Sequence, residues 1–250
     1  MNRIGAQLRM HYLNSKRSYV IFWSIMLLVF VVGIITALYL KSRGFEGQIT
    51  TNNITATVIF CAISSAVAYY ETFPYTLNMG CTRRDFTYGF LIYNMVLSFT
   101  LAFINNLLMI GEYLVCKGFG YNVNLYGYTA SEIGLLQEYG YVVNIINFRL
   151  IFSNILLLMA FLMAIAALFT LFTIINYLKG TMYLFGIGGL IIVLMFLPKI
   201  RVAFFESMWF IFMTFAGKVS PVKLTLYSLA VFAVCYILIF PIVRVTEVKK

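Results

Sequence analysis

The sequence predicts an all-α integral membrane protein with almost no aqueous domain, and three observations lead there. Of 250 residues, 62% are hydrophobic and only 10% are charged, where a soluble domain carries about 25% charged residues. Long uncharged runs recur, and a helix needs roughly 20 apolar residues to cross about 30 Å of hydrocarbon. The remaining charge is lopsided, 18 Lys and Arg against 8 Asp and Glu. In a polytopic protein such an excess collects on cytoplasmic connections and is no nucleic-acid footprint. A soluble enzyme, a disordered chain and a nucleic-acid-binding domain are therefore excluded.

Six spans are expected within a single transmembrane domain, 1–250. The uncharged run from Ser18 to Leu40 places the first at 19–40. The second, 54–73, begins after the polar stretch Gln48 to Asn53. The third is expected at 87–111 and the fourth at 150–177, both long enough to tilt. The fifth, 181–198, runs up to Pro198, and the sixth occupies 224–243. Two intervals stand apart. The stretch from Lys117 to Asn147, rich in Gly, Tyr and Asn, reads as a large non-cytoplasmic loop with room for one short helix. The stretch 203–217 is apolar but is broken by Glu206 and ended by Gly217 and Pro221. It reads as a re-entrant or interfacial segment before the sixth span, with a seventh span as the rival.

Orientation follows from Lys and Arg near the span ends. Arg3, Arg9, Lys16, Arg17, Arg83, Arg84, Lys179, Arg244, Lys249 and Lys250 fall on one side. Lys41, Arg43, Lys117, Arg149, Lys199, Arg201, Lys218 and Lys223 fall on the other. The margin is narrow, but an even span count and two basic termini agree. The expectation is a multi-pass protein of the cell membrane with both termini cytoplasmic. The basic segment before the first span is too long for a cleavable signal, so that span should persist in the mature chain. Four cysteines show neither a disulfide framework nor metal spacing. The glycosylation triplet at Asn53 lies against the membrane and reads as chance.

The chemistry that is absent narrows function. There is one histidine, His11, and one aspartate, Asp85. A membrane zinc protease needs two histidines on one helix, and an aspartyl protease needs two aspartates in the membrane. No phosphate-binding Gly-x-x-x-x-Gly-Lys-[Ser/Thr] loop occurs, and no span carries a mid-membrane charge suited to a proton relay. No catalytic, cofactor-binding or metal-ligating residue is assigned. The polar groups within the spans are hydroxyls and amides, among them Asn94, Ser98, Asn105, Asn106, Asn154, Thr170 and Thr173. Most read as interhelical hydrogen-bonding groups. The Asn105–Asn106 pair is the one candidate for a translocation path.

Two cytoplasmic features carry a mechanism. In residues 1–18, Ile4, Leu8 and Tyr12 recur at helical spacing among basic residues, predicting an interfacial amphipathic helix before the first span. A plain positive flank is the blander reading. The second feature follows the second span, which is expected to break near Pro74 and Gly80 and turn into the third. Thr82 is suited to cap a helix whose third residue is Asp85, the acid sitting at the positive end of the helix dipole. Glu71, at the cytoplasmic end of the second span, is placed to pair with a neighbouring basic group.

The run Leu77-Asn78-Met79-Gly80-Cys81-Thr82-Arg83-Arg84-Asp85-Phe86 resembles the connection after the second span in small type 2 ABC transporter permeases of Gram-positive bacteria. There the pattern is Leu-x-x-Gly-x-[Ser/Thr]-Arg-[Arg/Lys]-x-Phe. The interfacial helix, the six spans, the cytoplasmic elbow and the re-entrant segment are similar across the whole chain. The resemblance implies a half-transporter that dimerises with a second copy or a related permease. It implies a separate ABC ATPase subunit that binds ATP and Mg, so this chain needs no cofactor of its own. Residues 75–86 would form the coupling helix seated in that ATPase, with Tyr75, Leu77, Arg83, Arg84, Asp85 and Phe86 as the elbow. The implied activity is export of an amphipathic or hydrophobic cargo, as in staphylococcal-type exporters of phenol-soluble-modulin-like peptides. Membrane lipids are the remaining partner and nucleic acid is not one. An ATPase-independent channel, carrier or immunity-type protein is the alternative.

Overall fold

A computed structural model describes residues 3–43, 53–118, 148–180, 182–183, 186, 194, 196–215 and 221–245. Among the described residues there are six helices: α1 (Arg3–Ser42), α2 (Asn53–Asn78), α3 (Arg83–Gly118), α4 (Phe148–Lys179), α5 (Pro198–Phe215) and α6 (Pro221–Val245). No strand occurs among the described residues. All helices except α5 are long and apolar enough to cross a membrane, giving five such helices among the described residues. The all-α, multi-pass expectation holds at that level. The span expected at 181–198 lies largely outside the described residues, as does the loop assigned to Lys117–Asn147 beyond Gly118.

The first correction concerns α1. A separate interfacial helix was expected before the first span, yet the two form one helix of 40 residues. That is about 60 Å of helix, twice the hydrocarbon thickness. No Pro or helix-ending Gly separates Tyr12 from Val20, so backbone hydrogen bonding continues where composition changes. The inward face also differs. Tyr12 is 66% exposed, while the residues that turn inward are Gln7, His11 and Met26, with Leu8, Tyr19, Phe22 and Trp23 half-buried on the core.

A second correction concerns the elbow. The expected break near Pro74 does not occur: α2 runs through Pro74 to Asn78. It ends at Gly80, whose φ of 79° is the left-handed conformation open to glycine. There the Cys81 amide donates to the Thr76 carbonyl at 3.1 Å and the Gly80 amide to the Leu77 carbonyl at 3.0 Å. This pair is the Schellman closure, which satisfies carbonyls a helix end leaves open. The expected cap is present: the Asp85 amide donates to Thr82 Oγ1 at 3.1 Å. A helix therefore ends and the next begins across residues 79–82, with no separate helix over 75–86.

The packed centre is formed by α2, α3, α4 and α6, with α1 laid on α2 and α3, and α5 touching α6. Small residues let backbones approach, as membrane helices require. Cys61, Ala62, Ser65 and Ala68 of α2 and Ala160, Ala164, Ala166 and Ala167 of α4 are all buried. Cys61 Sγ lies 3.6 Å from the Leu162 carbonyl of α4, to which it donates. Toward the elbow an aromatic nucleus takes over. Phe86 meets Tyr69 at 5.5 Å, Phe73 at 5.2 Å and Phe90 at 5.7 Å, and Phe73 meets Tyr177 of α4 at 5.7 Å. Each such pair adds about 0.5–1.5 kcal/mol beyond burial alone.

These contacts also fix helix direction. Asn14 meets Glu71 while Phe22 stacks on Phe60, so α1 and α2 run antiparallel. Tyr88 meets Phe240 and Asn94 meets Tyr236, so α3 and α6 do likewise. In α2 and α4, Cys61 meets Leu162 and Phe73 meets Tyr177, so this pair is parallel. The start of α1, the α2–α3 turn and the ends of α4 and α6 consequently gather at one end of the bundle.

Over 203–215, α5 is one continuous helix that starts at Pro198, earlier than the segment expected at 203–217. Residues 199–209 of it are exposed, and its ring contact to α6 is Phe210 on Tyr227. A re-entrant bend is not found within its described length. Residues 216–217 lie outside the described residues.

Candidate functional site

The end of the bundle that holds the α2–α3 turn, the basic end, gathers more exposed cations than the opposite end, where Arg43 and Lys223 are exposed. Arg9, Lys16, Arg17, Arg84, Lys179 and Arg244 are all exposed at the basic end. The sequence places these residues far apart, and the helix directions bring them together. The expected elbow residues divide between surface and interior. Tyr75 is exposed on the last turns of α2, and Met79 is 64% exposed at the tip of the turn. Arg84 is exposed, its guanidinium 5.7 Å above the Tyr88 ring one turn on.

The other elbow residues serve the fold. Arg83 is half-buried and donates to the backbone carbonyl of Arg244, tying the start of α3 to the end of α6. A cation there also complements the negative end of the α6 dipole. Leu77 is half-buried on the core and Phe86 is fully buried in the aromatic nucleus. Asp85 is half-buried, its amide held by Thr82. Glu71 was expected to pair with a basic group. Its Oε2 instead accepts a hydrogen bond from Asn14 Nδ2 at 2.7 Å.

The Asn105–Asn106 pair, the candidate translocation path, is buried within the bundle. Thr57 Oγ1 of α2 donates to Asn105 Oδ1 at 3.4 Å, and Asn106 Nδ2 donates to the Ala102 carbonyl of its own helix at 2.9 Å. The blander reading, bonding within and between helices, fits this geometry. Deeper toward the elbow, Asn94 Nδ2 donates to Tyr236 Oη at 2.9 Å and to Thr170 Oγ1 at 3.4 Å. One amide of α3 thereby joins α4 and α6.

One site went unforeseen. His11 is 0% exposed, its ring stacked on Tyr93 at 4.7 Å, edge-on to Phe90 at 5.5 Å and tilted against Phe86 at 6.2 Å. One turn earlier, Gln7 is buried over Gly89, where a β-carbon would stand only 2.0 Å from Gln7 Oε1. Neither ring nitrogen of His11 and neither amide atom of Gln7 has a hydrogen-bond partner among the described residues. One turn later, Ser15 Oγ and Tyr93 Oη share a hydrogen bond of 3.0 Å. The four-residue spacing of Gln7, His11 and Ser15 is a legible stripe, but the surrounding basic residues disguise it as a surface. Among the described residues, no group of His, Cys, Asp and Glu is placed to hold a metal.

The family described as "Protein of unknown function (DUF4052)" matches residues 4–126, which span α1, α2, α3 and their turn. The chain is similar to that family over this stretch. No curated protein and no solved structure matches the chain.

Proposed function

We propose that this chain is the membrane-spanning permease subunit of an ATP-driven ABC exporter. The observation that carries the reading is the α2–α3 turn. It is closed on one side by Gly80 and capped on the other by Thr82, and it holds Met79 and Arg84 exposed at the basic end. An ordered projection of this kind suits docking to a partner better than simple chain reversal does. The partner in this reading is an ABC ATPase that binds ATP and Mg, and nucleotide-driven closure there is passed to the helices through the turn.

The finer architecture belongs to the same reading. Because α4 arrives at the basic end and α6 departs from the opposite one, one further crossing between them gives six spans. Both termini then lie on the side of the turn, which the positive-inside rule makes cytoplasmic. The exposed apolar faces of α1 and α6 suit lipid and a second copy or a related permease. The cargo is amphipathic or hydrophobic, a peptide of antimicrobial or toxin-like character.

The test is whether the reading frame beside this chain encodes a Walker A ATPase without spans of its own, and whether that ATPase co-purifies with the chain and hydrolyses ATP in the complex. Arg84→Glu is expected to reduce recovered ATPase about tenfold, roughly 1.4 kcal/mol, without changing the amount of chain in the membrane. Unchanged recovery would remove the turn from the interface. A second reading, an ATPase-independent channel, carrier or immunity-type protein, draws on the shortness of the turn, which presents no helix of its own to a partner groove. It predicts no ATPase at all in the purified complex.

A further inference from the structure

Between the first turns of α1 and the last turns of α2 lies an open cleft of about 430 Å³, lined by Met10, Leu13, Asn14, Glu71, Thr72 and Tyr75. The proposed coupling turn makes no use of it. Its position along the helices is fixed by the Asn14–Glu71 hydrogen bond, and nearer the hydrocarbon the same helices meet where Phe22 stacks on Phe60 at 4.1 Å. Arg17 follows Asn14 by three residues and Leu13 by four, which puts it on the cleft face of α1. It is exposed, and it stands about 4.5 Å nearer the hydrocarbon than Asn14.

Further in, the same faces turn apolar. Val20 and Ile21 follow Arg17 at helical spacing, Ile63 and Val67 precede Glu71 in the same way, and all four are exposed. From hydrocarbon to water the order along the cleft is therefore apolar, cationic, anionic. A phospholipid in the leaflet at this end presents acyl chains, then phosphate, then the headgroup terminus. Only a headgroup ending in a cation complements the carboxylate.

We propose that this cleft binds a phospholipid whose headgroup carries a primary amine beyond its phosphate. The amine donates to Glu71, the phosphate pairs with Arg17, and the acyl chains lie along the exposed apolar residues of α1 and α2. A trimethylated headgroup has no N–H to donate and is bulkier, and a glycerol headgroup brings only neutral hydroxyls to the carboxylate. The site requires the basic end to meet the membrane surface and does not depend on an ATPase.

Native mass spectrometry of the purified full chain tests this, with equimolar phosphatidylethanolamine, phosphatidylcholine and phosphatidylglycerol of identical acyl chains. The expected ratio favours the ethanolamine lipid over each of the others by about fivefold, the size of one exposed ion pair. Glu71→Gln keeps an acceptor for Asn14 and is expected to erase that preference, whereas Arg17→Gln weakens all three lipids alike. Each spectrum compares lipids on the same folded molecules, so loss of protein does not mimic either outcome. Equal binding of the three lipids by the wild type, or a preference that survives Glu71→Gln, would overturn the proposal. So would displacement of the lipid by soluble phosphoethanolamine at the same concentration, which would assign the cleft to a free metabolite.

Discussion

The buried polar rows of α1 and α3 differ in what they reach, although α3 also buries Asn94 Oδ1, Ser98 Oγ and Asn106 Oδ1 without a partner among the described residues. On α3, Asn94 reaches Tyr236 and Thr170, and Asn105 accepts from Thr57, so the row ties neighbouring helices together. On α1, Gln7 and His11 are buried with four polar atoms unpartnered among the described residues. Burying such a group without a partner costs about 1–3 kcal/mol. What holds α1 at this end is the Ser15–Tyr93 bond, the Asn14–Glu71 bond and aromatic contact. In an apolar 18-residue window of α1 only 6% of residues are buried, against 50% in that of α4. Thus α1 is attached to the bundle, whereas α3 is part of it.

The largest effect that would break this contrast is expected at Phe86, where α1, α2 and α3 share one ring. Phe86→Ala is expected to cost about 3–5 kcal/mol, read as denaturant unfolding in detergent micelles. A loss under about 1 kcal/mol would mean that the aromatic nucleus does not hold the helices together. Next comes His11→Phe, which removes two unpartnered nitrogens and extends the aromatic cluster. It is expected to stabilise by about 1–2 kcal/mol, and destabilisation in the same assay would show that the imidazole has a partner. The smallest effect falls on α3. Asn94→Leu is expected to destabilise by about 0.6 kcal/mol, the average for membrane interhelical hydrogen bonds, and by no more than about 1.7 kcal/mol. A stabilising Asn94→Leu would erase the distinction between the two rows.

Much of the fold was legible because lipid imposes a simple rule: uncharged runs become helices. The stretches assigned to the first, second, third, fourth and sixth spans all lie within helices of the structure. Thr82 and Asp85 announced the start of α3, since cap chemistry is local. The joint between the amphipathic start of α1 and its apolar remainder was not legible, because a change of composition without Pro or Gly does not interrupt backbone hydrogen bonding. Pro74 misled in the opposite direction: α2 passes through it to Asn78. The site was less legible than the fold. Arg83 and Phe86 read as a docking surface because the sequence does not show that Arg244 and Tyr69 lie beside them. His11 stood out in the sequence only as the single histidine, and it is the rings of Phe86, Phe90 and Tyr93 that show it buried.

The central claim is that a partner ATPase engages the bundle at the α2–α3 turn, and Met79 at its exposed tip is the place to test it. A photo-crosslinking amino acid substituted at Met79, activated in intact cells, samples whatever touches the turn. The expected result is a covalent adduct whose mass and peptides identify an ATPase carrying a Walker A loop, absent when the same probe replaces Tyr12 on α1. Efficient insertion of the chain with adducts to lipid alone at Met79 would contradict the claim.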